Sequence, residues 1–227
     1  MYDNVGVYGD ESLIAYWNFN SGGGDVASDM SGNGHDGTVF GGPEWTDNIP
    51  YVGKPEDDKN FALTFWSQGS IDVGTDGFAS GGSPATLEAW FYREWNGPDG
   101  SEYLVGYGGD NGPGSMFAMG LNNNNVFATF MGSNYDVMSS TSYGLEQWHH
   151  VAAVHSGNGE VELYLDGESV FTASVSAPNI SSSNGKIGSS PLDGERWGGF
   201  IDEVRVWNTA RSQGEIQGLM HQSLRGT

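Results

Sequence analysis

The chain has no cysteine. That removes disulfide frameworks, cysteine-based zinc sites and thiol nucleophiles at once. Lysine and arginine together number only 8, against 29 aspartate and glutamate, for a formal net charge of −21. Such a surface repels phosphate backbones, and no basic cluster reverses this locally, so nucleic acid is excluded as a partner. No run approaches the ~18 apolar residues of a membrane span, which argues against membrane insertion. The opening Met1-Tyr2-Asp3-Asn4 has neither a basic nor an apolar stretch and does not read as a signal peptide. A secreted protein with this sequence is therefore expected to be a mature fragment or an excised module.

Glycine is abundant, at 37 of 227 residues, and aromatic residues make up 13%. The apolar residues fall into short alternating runs between turn signals, a pattern of many strands and tight turns. The length suits one β-sandwich domain with a core large enough to need no staples. Residues 1–12 are polar and read as a lead-in, with the domain spanning 13–227.

Leu13 to Phe19 predicts a first strand. Phe61–Phe65 and Ser70–Val73 flank a turn. Thr86 to Trp95 alternates, with Leu87, Ala89 and Phe91 on one face and Glu88, Trp90 and Tyr92 on the other. Asn122 to Asn125 predicts a hairpin turn, since asparagine tolerates positive φ. Trp148–His155 and Val161–Leu165 predict a second hairpin, and Phe200–Trp207 a last long strand. Ser212 and Glu215 match a capping box, predicting one short helix on which Ile216, Leu219 and Met220 share a face. Strand spacings of roughly 8–12 residues predict an all-β, two-sheet antiparallel sandwich.

Several stretches resemble laminin-G-like jelly-roll domains of the concanavalin-A-like lectin/glucanase type, related to pentraxins. These are Leu13–Phe19 with Asp29–Gly37, Leu87–Phe91, Trp148–Ala152 with Leu163–Gly167, and Phe200–Asn208 followed by Ala210-Arg211 and Glu215-Ile216. The resemblance runs in order from about residue 13 to 220. It implies two curved sheets with jelly-roll connections. It also implies a lectin-like, carbohydrate-binding module of a larger secreted or cell-surface protein such as an adhesin, with glycans or cell-surface glycoconjugates as partners. A structural or protein-binding spacer and a glycoside hydrolase on the same fold are the alternatives.

Asp29, Asn33 and Asp36 share one glycine-rich loop, the kind that supplies carboxylate, amide and carbonyl oxygens to Ca2+. In such domains a calcium commonly sits between this loop and an aspartate on the last strand. The resemblance therefore adds Asp202, with backbone carbonyls near Gly34 and His35, so Asp29, Asn33, His35 and Asp202 form the expected Ca2+ set. Sugars present C–H faces to aromatic rings and hydroxyls to polar groups. Trp66, Trp95, Tyr107 and Trp197 lie beside glycine-rich turns, with Asp99, Asp193 and Arg196 as hydrogen-bonding neighbours, and these seven are the candidate ligand residues. Trp17, Trp90, Trp148 and Trp207 fall on the recurrent framework and are assigned to packing. The Glu-x-Asp-x-x-Glu pattern of laminarinase-like enzymes is absent, and so is G-x-S-x-G, which leaves no catalytic residue to nominate. His149 and His150 are adjacent on a strand and point to opposite faces, so they cannot chelate one metal together.

Overall fold

The computed structural model describes residues 10–50, 60–66, 68–95, 100–132 and 134–224. Sixteen strands and one helix follow in order. They are β1 (Leu13–Trp17), β2 (Val26–Ala27), β3 (Gly37–Phe40), β4 (Glu44–Thr46), β5 (Ala62–Trp66), β6 (Ser70–Val73), β7 (Ala85–Tyr92) and β8 (Ser101–Gly108). Then come β9 (Met116–Asn122), β10 (Asn125–Thr129), β11 (Asp136–Ser142), β12 (Trp148–His155), β13 (Glu160–Leu165), β14 (Glu168–Ser174), β15 (Gly185–Ile187), β16 (Gly198–Trp207) and α1 (Gln213–Leu219). One sheet runs β14-β13-β12-β7-β16-β5-β4, with β1 also on β16; the other runs β11-β10-β9-β8-β15-β6-β3-β2. Their described pairings are all antiparallel. The expected β-sandwich with one short helix is what the chain forms.

Alternation decides the core. Leu87, Ala89 and Phe91 of β7, Val151 and Ala153 of β12, and Leu63 and Phe65 of β5 point between the sheets with Phe117, Met119, Val126 and Ala128 from the opposite sheet. The turns carry the expected chemistry. Asn123 and Asn124 adopt φ +46° and +66° between β9 and β10, and Asp166 and Gly167 adopt +52° and +76° between β13 and β14. Two-residue loops of this hand match the twist of the strands they join.

The outer face of the first sheet is not left to water. Ser212 caps α1, and its reciprocal bonds with Glu215 close the capping box. Ile216 packs on Ala152, Val154 and Tyr164. Trp90 donates its indole N–H to Met220 O at 2.8 Å, and Arg205 reaches Leu219 O and Gln222 O at 2.9 and 2.6 Å. Glu203, at φ +53° in a bulge of β16, accepts from Tyr16 Oη at 2.5 Å and from Arg205 Nη2 at 3.0 Å. The tail thus covers one half of this face through a polar layer. The other half, toward the start of β16 and the end of β5, carries the candidate site.

Candidate functional site

Trp66 is the last residue of β5. Leu63 and Phe65 point inward, so parity turns Thr64 and Trp66 outward. Trp66 is 54% exposed at the strand end. Trp95 lies three residues beyond β7 and is 39% exposed. The two indoles lie parallel, with ring centroids 6.3 Å apart and planes 7° apart. Both rings remain open to solvent over part of their surface, and exposed Gln68 and Glu94 flank them in the chain.

The base of this pair is rigid. Trp66 pairs with Gly198 across β5 and β16. The amide of Gly198 donates to Glu102 Oε1 at 3.1 Å, and the other oxygen of Glu102 pairs with Arg93, two residues before Trp95. Arg93 and Glu102 are buried, at 2% and 3% exposure. The amide of Glu146 donates to Arg93 O at 2.7 Å. Gly199 is at φ +141°, and a Cβ there would sit 2.6 Å from Tyr92 O, so only glycine lets β16 pass this close to the end of β7. One buried ion pair therefore ties together the chain segments from which both rings project.

The remaining sugar candidates are placed differently. Trp197 is fully buried, with Phe91 edge-on at 5.8 Å and the Arg93 guanidinium 4.3 Å above its ring. Tyr107 is also fully buried; its hydroxyl donates to Ala79 O at 2.9 Å, and burial pushes the phenol pKa up. Neither ring can stack on a sugar, and both expected ligand roles are corrected to packing. Asp193 is exposed but pairs with Lys186 at 3.1 Å, and Lys186 also pairs with Asp72 at 2.8 Å. Arg196 is half-buried and forms a β-bridge with Ser189. Asp193 ties the 189–197 turn to Lys186 through its side chain and Arg196 joins Ser189 through its backbone, and Trp197, turned inward, is not beside them as a stacking surface. Asp99 lies outside the described residues.

The loop expected to hold calcium is organised by hydrogen bonds. Asp29 Oδ1 accepts from the amides of Tyr16 and Ser31 at 3.0 and 2.9 Å, and Oδ2 from Ser31 Oγ and the His35 amide at 2.8 and 3.0 Å. Asp36 Oδ1 accepts from the Asp29 amide at 2.8 Å. Asn33 donates to Leu13 O and Ile14 O. The carbonyl of His35 accepts from the Trp17 indole at 2.9 Å, and its ring Nδ1 lies 3.0 Å from Gly74 O. Asp202 is fully buried, its Oδ1 accepting from the Glu203 amide at 2.8 Å. Among the described residues no three His, Asp or Glu side chains converge on a metal position. As the loop stands, the Asp29 oxygens face four hydrogen-bond donors.

His149 and His150 do face opposite ways. His149 Nδ1 meets Asp166 Oδ2 at 2.7 Å, and His150 Nε2 meets buried Glu88 at 3.2 Å on the other face. Burial raises the pKa of Glu88, and the bond and charge of His150 with the charges of Arg205 and Arg211 outweigh it, leaving the carboxyl below its ordinary value.

Comparison with known proteins bears on this geometry. No curated protein matches the chain. Domain 4 of AbnA, a GH43 extracellular arabinanase from Geobacillus stearothermophilus, solved in complex with arabinotriose, superposes with a TM-score of 0.68 at 19% identity, covering 92% of this chain and 98% of that one. The binding domain of Paraclostridial Mosquitocidal Protein 1 gives a TM-score of 0.68 at 20% identity, covering 92% of this chain and 51% of that one. A botulinum neurotoxin type C structure, whose description ties cell entry to two ganglioside molecules, gives 0.64 at 15% identity, covering 93% and 52%. The chain spans about half the length of these toxin domains, and the likeness establishes the shared fold. A family model for the concanavalin A-like lectin/glucanases superfamily, of laminin-G type, matches residues 65–217, more than half of the chain, and the chain belongs to that family.

Proposed function

We propose that this chain is a non-catalytic carbohydrate-binding module of a larger secreted or cell-surface protein, and that its glycan site is the Trp66–Trp95 pair. The observation that carries the reading is two parallel indoles, 54% and 39% exposed, set on a buried ion pair. Large aromatic surface left in water on a rigid base is costly unless something covers it, and a sugar's C–H face is flat enough to do so. The relative described with arabinotriose, which this chain matches over 98% of that domain's length, supports a saccharide as the occupant.

The site needs no metal. Trp17, at the end of β1 beside the Asp29 loop, pairs with Val204, six positions along β16 from Gly198. At ~3.3 Å per residue the loop lies about 20 Å from the rings. Glycan binding is therefore expected to survive chelation.

Glycan-array screening followed by calorimetric titration of the strongest hit tests the reading, with Trp66→Ala and Trp95→Ala in parallel. Each variant is expected to bind several-fold to about tenfold more weakly, the scale of a lost aromatic stack. A chain that binds no glycan, or variants that bind as tightly as the parent, would sink it. Release of new reducing ends from a bound polysaccharide would replace the module with a hydrolase.

A further inference from the structure

The occupant of this site can be narrowed by charge. We infer that the Trp66–Trp95 site takes uncharged sugar chains and rejects anionic ones, those bearing carboxylate or sulfate groups. The inference rests on the binding reading above and adds the substrate class.

Anionic glycans are held by cations, and all but one of the described lysines and arginines are held in ion pairs. Arg93, the closest in sequence to a ring of the pair, is buried beneath it and neutralised by Glu102. Lys186 is held between Asp72 and Asp193, Arg205 against Glu203, and Arg211 against Asp10. Arg196, half-buried and joined to Ser189 through its backbone, is the exception, a single cation against the carboxylates that follow. Beyond the described residues, Lys54 and Lys59 are separated in sequence by Glu56, Asp57 and Asp58, and Arg225 is close to the C-terminal end. Against these stand exposed carboxylates around the pair. Glu94 precedes Trp95, and Glu44 faces Thr64 across β4 and β5, two positions from Trp66. Neither is ion-paired to a described cation. A net charge of −21 surrounds them.

The chemistry follows. Carboxylates accept hydrogen bonds from sugar hydroxyls, so they suit a neutral chain. The same groups repel an acidic chain. Like charges around 8–10 Å apart in water weaken binding by about tenfold when two or three act together, and this repulsion fades as salt shortens the Debye length below ~8 Å.

The test uses linear arabinan, arabinoxylan and mixed-linkage glucan, each beside its carboxymethylated derivative, with polygalacturonate and heparin as further anions. Binding of the parent chain is measured at low and high sodium chloride. The expected result is binding to at least one neutral polymer, with its carboxymethylated form about tenfold weaker at low salt and the gap closing as salt rises. Glu94→Gln, which removes the charge and keeps an acceptor oxygen, should narrow the low-salt gap between the neutral polymer and its carboxymethylated form. Equal or tighter binding of the anionic forms overturns the inference and leaves the site reading standing, as does a gap that salt does not change, which would mark steric exclusion. Failure to bind any of these polymers, or unchanged binding by Trp66→Ala, overturns the reading beneath it.

Discussion

Trp66 and Trp197 are the same residue type, a few residues from glycine-rich turns, and the structure assigns them opposite consequences. Trp197→Ala removes a fully buried indole from between Phe91 and the Arg93 guanidinium. A large-to-small change at such a site costs about 3–5 kcal/mol, because the cavity collapses only partly. Arg93 also loses a desolvated cation–π contact worth about 2 kcal/mol, part of which the cavity figure already contains. For a chain of this length each kcal/mol moves the midpoint by about 2–4 °C, so Tm should fall by roughly 6–20 °C. Trp66→Ala removes a ring that is more than half exposed. Its stability cost is that of one exposed aromatic contact, about 0.5–1.5 kcal/mol, a few degrees at most. Thermal melts by circular dichroism measure the first quantity and calorimetric titration with the best array glycan the second. Expected are a large Tm loss for Trp197→Ala, and weakened binding with near-parental Tm for Trp66→Ala. A Trp197→Ala chain that melts within a degree or two of the parent refutes its placement in the core. A Trp66→Ala chain whose Tm collapses refutes the exposed pair.

Three further outcomes follow from the same coordinates. Burial lowers the pKa of His155, whose ring packs against the stacked Phe117 and Phe130; the unfolded chain then takes up the proton first, so this contribution is present above the unfolded value of 6.5 and is lost as pH falls through the lower folded value. Urea titrations from pH 7 downward should show a stability decline that His155→Phe flattens, and parallel curves would show that His155 does not drive it. Asp29→Ala removes four acceptor contacts and should cost about 2–4 kcal/mol in protein prepared in chelator; a chelator-induced fall in the parent's Tm that this substitution abolishes would instead return the carboxylate to calcium. Glu102→Gln strands buried Arg93 without its counter-charge and should cost about 3–5 kcal/mol, read as a shift in urea midpoint at unchanged slope.

The frame was legible because it rests on short-range rules. Alternation in Thr86–Tyr92, asparagines at 123 and 124, Asp166-Gly167 and the Ser212–Glu215 box each dictate a local geometry that the structure contains. The site was half legible. Trp66 and Trp95 stand out by their glycine-rich surroundings, but so do Tyr107 and Trp197, and composition around a ring does not say which way it points. Direction depends on strand parity and on partners far along the chain. Tyr107 lies in β8 on the inward register, and Trp197 is drawn inward by Phe91 and Arg93. The polar base escaped the reading for the same reason. Arg93, just past the end of β7, and Glu102, on β8, are nine residues apart, and only the fold brings them together beneath Gly198. The Asp29 loop shows the limit from the other side. The residue types suit calcium, yet the backbone amides they meet are fixed by β1 and the turn itself, not by the loop's composition.

The position of the Arg93–Glu102 pair also argues for function at this end of the sandwich. A buried ion pair is a poor stabiliser: removing two charges from water often costs more than their attraction returns, and apolar residues of like volume commonly serve stability as well or better. The interior between the sheets is otherwise apolar across most of its length. The exception stands beneath the two exposed indoles and holds the start of β16 through the Gly198 amide. Directional bonds fix distance and orientation in a way that apolar contact does not, and a pair of rings meant to meet a rigid ligand gains from that fixity. Departures from the locally most stable choice concentrate where a site must be held in place. Here the departure, the glycines that bring β16 alongside β7, and the only two tryptophans among the large exposed apolar side chains of the described residues coincide at one end of the first sheet.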